Sequence, residues 1–92
     1  MEQVYKQLQF VINCIKEIRK QKSISQLELS LKAGLSQSFL ANVESGKKQP
    51  SVLTLLRIAN ALQVSPKNFF PEHKNKSKEE IKDDLISLVR SL

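Results

Sequence analysis

Two glycines, one cysteine, one histidine and no tryptophan occur in these 92 residues, and each scarcity closes a class of chemistry. With Gly34 and Gly46 as the whole supply, no glycine-rich loop can wrap a phosphate in the manner of nucleotide-binding turns. Cys14 has no partner for a disulfide or a CxxC metal site. A lone thiol of this kind is expected in the core of a protein from a reducing, cytoplasmic setting. His73 stands alone in a polar stretch, without companions for a metal ion or a nucleophile–base pair, and is expected to be solvated. No stretch approaches the roughly 20 apolar residues of a membrane span. Asn13 and Lys16 break the Phe10–Ile15 apolar run and no small-residue cleavage site follows, so a signal peptide is not expected. Glu79, Glu80, Asp83 and Asp84 read as the solvated face of a helix. The expectation is a binding protein rather than an enzyme, with no catalytic set, cofactor or metal.

Charge of one sign is also scarce where it matters. The chain holds 15 Lys and Arg against 9 Asp and Glu, a formal charge of +6. Residues 1–70 carry ten of those cations and four acids, whereas 71–92 are balanced at five and five. All of the positive excess therefore sits in the first 70 residues, which points to a polyanionic partner. A chain of this length makes one small domain, and dimerisation would help it bury enough surface.

The apolar residues follow helical periods. Val4, Leu8, Val11, Ile15 and Ile18, widened by Tyr5 and Ile12, predict an amphipathic helix over 3–21. Ser25 and Glu28 form a capping box, so a second helix begins near Gln26, turns Leu29 and Ala33 inward and stops at Gly34. Leu35 plugs the gap, and Ser36 caps a third helix over 37–45, ended by Gly46, with Leu40 and Val43 inward. Gln37, Ser38, Ala41 and Asn42 are left on its outer face. Pro50 stops continuation, and Ser51 caps a fourth helix to about Gln63 with Val52, Leu55, Leu56, Ala59 and Leu62 inward. Ser65–Pro66 opens a short fifth helix anchored by Phe69 and Phe70. Residues 71–78 read as a linker. Ser77 and Glu80 cap a last helix whose Ile81, Leu85, Leu88 and Leu92 repeat with coiled-coil spacing, widened by Ile86 and Val89.

Two short helices across a glycine turn, the second bearing amides and hydroxyls outward, are the arrangement that presents side chains to the major groove. The run Gln26-x-x-Leu29-x-x-x-x-Gly34-Leu35-Ser36-x-x-x-Leu40-x-x-Val43-Glu44-x-Gly46 resembles the Xre family, the helix-turn-helix proteins that include lambdoid repressors and Cro. Matching positions continue through Lys47, Pro50, Leu53, Leu56, Ile58, Ala59, Leu62 and Val64 to Phe69–Phe70, so the resemblance spans about residues 15–70. Ser30 departs from the family's usual alanine but is nearly as small. The resemblance implies an all-α, five-helix, lambda-repressor-like DNA-binding domain over 1–70, with its helix-turn-helix at 25–46, an extended first helix and an added C-terminal helix over 79–92. It also implies a homodimeric regulator of transcription, a repressor or autoregulator on a two-fold symmetric operator, as in restriction-modification controller proteins. Contact with RNA polymerase stays open. So does an antitoxin or coactivator role on the same scaffold; an RNA binder would carry more exposed aromatics for stacking.

Roles follow residue by residue. Gln37, Ser38 and Asn42 are the candidates for base edges, because amides bond bidentately to adenine and hydroxyls are permissive. Phe39 meets a thymine methyl or the backbone, or packs beside the turn. Gln26 is expected on a phosphate, as the matching glutamine is in the family, with Ser36, Ser45, Lys47 and Lys48 as further phosphate contacts. The resemblance also implies that Arg19 pairs with Glu44, an acid that needs neutralising beside phosphates; a solvent or phosphate contact for Arg19 is the alternative. Val4 and Leu8, beyond the shared module, are expected to join Ile81, Leu85, Leu88 and Leu92 in a dimer interface.

Overall fold

The computed structural model describes residues 1–70. The expected linker and last helix, and with them His73, Ile81, Leu85, Leu88 and Leu92, lie outside the described residues. Four α-helices and a final 3-10 turn make up the described part: α1 (Glu2–Gln21), α2 (Gln26–Ala33), α3 (Gln37–Glu44), α4 (Val52–Leu62) and the turn Pro66–Phe69. No strand occurs among the described residues. The expected fifth helix is thus a single 3-10 turn of 4 residues, too short for α-type hydrogen bonds to repeat.

Serine starts three of the helices. The hydroxyls of Ser25, Ser36 and Ser51 accept from the N–H groups of Glu28, Phe39 and Thr54, three residues on in each case. Each bond satisfies one of the donors that a helix start leaves without a partner.

All four helices end alike. A left-handed residue follows the last turn, and the N–H beyond it reaches back five residues: Ile24 to the Arg19 carbonyl, Leu35 to Ser30, Lys47 to Asn42 and Val64 to Ala59. Gly34 and Gly46 supply two of the left-handed positions (φ 70° and 82°), and Ser23 and Gln63 supply the others at φ 57° and 58°. A chain short of glycine therefore carries strain at two of its helix ends.

Helix α2 packs on α3 and α4, and α1 closes over α3 and the terminal turn. Val11, Ile15, Leu29, Leu40, Ile58, Leu62 and Phe69 meet in one core, with Ile18, Leu35 and Val64 partly buried around it. Ile12 is also buried, whereas Phe70 is more than half exposed and does not join Phe69 as an anchor. Cys14 is half-buried rather than a core thiol; burial and the neighbouring Glu17 charge push its pKa up, which keeps it protonated.

Helix α4 faces the core differently from its expected orientation. Thr54, Ile58, Ala59 and Leu62 are buried and Leu55 is partly so, while Val52 is 73% exposed and Leu56 47%. Apolar residues lie almost all round this helix, so periodicity alone does not select a face. Burying Thr54 on this face strands no polar group, because its hydroxyl lies 3.0 Å from that of Ser51.

The helix ends give a prediction of opposite signs. A Cβ at Gly34 meets nothing within 4 Å, so Gly34→Ala carries only the backbone penalty and should lose roughly 1–2 kcal/mol. Gln63→Gly should instead gain about 0.5 kcal/mol, relieved strain outweighing the added freedom of the unfolded chain. Urea midpoints measure both; a loss in each variant would overturn the strain at Gln63.

Candidate nucleic-acid interface

The outer face of α3 begins at a capped N-terminus. Ser36 holds the Phe39 N–H at 3.1 Å, which fixes the first turn and leaves Gln37 and Ser38 exposed on it. One turn later Ala41 and Asn42 are half-buried, as is Phe39. The Asn42 carbonyl accepts three bonds: from the N–H groups of Lys47 (2.9 Å) and Lys48 (3.0 Å) and from the Ser45 hydroxyl (3.2 Å). That carbonyl therefore ties the exposed two-lysine loop to the end of the helix that carries the amides.

Glu44 sits on the opposite edge of α3, 3% exposed. Its Oε2 accepts from Arg19 Nε at 2.9 Å and its Oε1 from Arg19 Nη2 at 3.0 Å, a planar two-bond pairing. The Gln26 amide donates a third bond to Oε1 at 3.0 Å. Arg19 Nη1 donates in turn to the Ile24 carbonyl at 2.9 Å, while the Arg19 carbonyl accepts the Ile24 N–H. One arginine thus joins the end of α1, the loop into α2 and the last turn of α3. Among the described residues no buried side-chain polar atom lacks a partner.

These bonds refine what the other polar side chains can offer an anion. Ser36 uses only a lone pair on its cap, so its proton remains available to donate. Ser45 spends its proton on Asn42 and must exchange that bond to reach a phosphate. Gln26 commits one amide hydrogen to Glu44 and keeps the second, beside the partnerless N–H groups of the first turn of α2. The Gln26–Glu44 bond and the Asn42 carbonyl are features sequence reasoning missed. The former joins residues 18 apart in the chain, beyond any local spacing rule. A shallow depression opens beside this cluster, lined by Lys16, Arg19, Lys20, Gln26, Glu44 and Ser45 among others. Neither Lys16 nor Lys20 carries a signal in the sequence that assigns it to this face. Elsewhere, Val4 is exposed and Leu8 half-buried on α1.

The ion pair yields a coupling prediction. Arg19→Leu or Glu44→Leu alone should cost on the order of 3 kcal/mol, because each strands a charge in a buried setting. The double variant should cost less than either single one. A double-mutant cycle in denaturant reads the coupling; a value near zero would contradict the pairing's energetic role.

A helix-turn-helix family profile matches residues 15–69, which covers α2, the turn and α3 with their supporting elements. The immunity repressor protein of Bacillus phage phi105 is 44% identical over 50 residues, 54% of this chain and 35% of that protein. An HTH-type transcriptional regulator of Sinorhizobium fredii, y4dJ, is 40% identical over 48 residues, 52% of this chain and 62% of that protein. The chain thus spans less than two thirds of these relatives' lengths. Among solved structures, the restriction-modification controller protein C.AhdI from Aeromonas hydrophila superposes with a TM-score of 0.66 at 32% identity, over 68% of this chain and 96% of that one. A variant of the controller protein C.Esp1396I gives the same TM-score, 0.66, at 25% identity, over 87% of this chain and 94% of that one. With more than half of its residues matched by the family profile, the chain belongs to the Xre-type helix-turn-helix family.

Proposed function

We propose that this protein is a sequence-specific regulator of transcription that reads double-stranded DNA with the N-terminal half of α3. The observation that carries this reading is the exposed Gln37–Ser38 pair on a capped, rigidly mounted helix, beside a loop that presents Lys47 and Lys48. Gln37, Ser38 and Asn42 read base edges, with Phe39 beside them at the groove wall or the sugar backbone. Gln26, Ser36, Ser45, Lys47 and Lys48 hold phosphates and set the register without reading sequence. The net charge of +6 supplies the long-range attraction. Kinship with a phage immunity repressor and likeness to restriction-modification controllers favour a repressor or autoregulator over an antitoxin or coactivator. No helix among the described residues is long and apolar enough to cross a membrane, in keeping with a cytoplasmic protein.

The regulator acts as a homodimer on a two-fold symmetric operator. Val4, exposed near the start of α1, and half-buried Leu8 offer part of an apolar face that the Ile81, Leu85, Leu88 and Leu92 repeat suits. A second face also invites a twin: Val52, Leu53 and Leu56 are all exposed on α4.

Two experiments test this reading. On a duplex bound with sequence preference, Gln37→Ala should lose about 1–3 kcal/mol of discrimination at one or two base pairs. Lys47→Ala should weaken all duplexes alike and flatten the salt slope by about one unit per bound protomer. Unchanged affinity and preference in both variants would remove α3 from the role of reader. Truncation after His73 should shift sedimentation towards monomer and weaken a full operator far more than a half-site. A truncated chain that remains dimeric would move the interface to the α4 face.

A further inference from the structure

Helix α1 borders the depression beside Glu44 with two lysines that base and phosphate readout, as assigned above, leave without a task. Lys16 and Lys20 are one helical turn apart, so they share a face. Lys16 is half-buried and Lys20 is exposed. Among the described residues the salt bridges are Arg19–Glu44 and Lys32–Glu28, and neither involves these two lysines. The floor between them is electrostatically spent. Both Glu44 oxygens are occupied by Arg19 and Gln26, so the acid has little left to attract the lysines. Three cations and one carboxylate around the depression (Lys16, Arg19 and Lys20 against Glu44) leave it a net +2.

Beside Ala41, two polar groups complete the lining: Ser45 at the end of α3 and Gln26 at the start of α2, whose amide keeps one hydrogen uncommitted. Helix α1 continues past this point along α3, since a Cβ at Gly46 would stand 3.3 Å from Gln9 Oε1. The depression therefore shares the end of α3 with the Lys47–Lys48 loop, two residues after Ser45 in the chain.

We infer that Lys16 and Lys20, with Gln26 and the Ser45 hydroxyl, form a seat for a backbone phosphate of the bound duplex. The inference rests on the proposed reading of DNA by α3, and it extends the backbone contacts from the helix-turn-helix onto α1. The lysines hold the phosphate by charge and position the domain; they read no base. The intact Arg19–Glu44 pair is a condition of the seat, because an unpaired Glu44 at its floor would repel the anion.

Lys16→Gln and Lys20→Gln, singly and together, test it in the full-length protein by fluorescence titration of a preferred and an unrelated duplex over a range of salt. Each substitution should reduce the slope of log affinity against log salt by about 0.9 per bound protomer, and the pair by roughly twice that. The ratio of affinities for the two duplexes should stay unchanged. Lys16→Arg together with Lys20→Arg should restore the slope, which separates charge from packing, and Lys32→Gln serves as a control with no change. An unaltered slope in the double variant, or a loss confined to the preferred duplex, would overturn the seat while leaving the α3 reading intact. A wild-type protein with no duplex preference would instead overturn the reading on which the seat depends.

Discussion

A guanidinium between three segments holds the arrangement together. Arg19 grips Glu44 with two nitrogens and the Ile24 carbonyl with a third, and so fixes α3 relative to α1 and to the loop that delivers α2. Geometry of this kind suits arginine alone among the cations, because its planar fork offers several donors in fixed directions. A lysine ammonium, a point charge on a flexible stem, would lack that fixed fork. The pairing is a matter of orientation more than of stability, since a buried ion pair roughly repays its own desolvation. Its value lies in aiming the outer face of α3.

The same cluster manages an electrostatic conflict. A carboxylate at the end of a helix that, on the proposed reading, approaches phosphates would repel them, and burial without a partner would be costly. Glu44 escapes both penalties because Arg19 and Gln26 saturate it. The acid then serves as an internal anchor, and the cations around it remain free to face outward. Mounting the helix from its buried edge leaves Gln37 and Ser38 unencumbered on the exposed one.

Legibility in the sequence tracks the range of the interaction. Serine caps act over three residues, so the starts of α2, α3 and α4 can be read directly from Ser25, Ser36 and Ser51. Ends marked by Gly34 and Gly46 are equally plain. Those at Ser23 and Gln63 are not, because neither residue type announces a left-handed conformation. The face of α4 was illegible for another reason: eight apolar side chains surround it from Val52 to Leu62, so spacing alone selects no face. At the site, the residue types facing outward on α3 follow from helical spacing, and Arg19 is placed opposite Glu44 only through family resemblance. Gln26 on Glu44 and Lys16 and Lys20 at the depression are tertiary facts, set by how three helices converge.

Central to the proposed function is that the mounted face of α3 reads duplex DNA by sequence. Selection from a random pool of duplexes tests it most directly, with single-stranded RNA of equal complexity as a parallel pool. The expected result is enrichment of a two-fold symmetric duplex whose half-sites lie about 10 bp apart, one helical turn. No enrichment of any duplex over the starting pool, or stronger enrichment from the RNA, would contradict it.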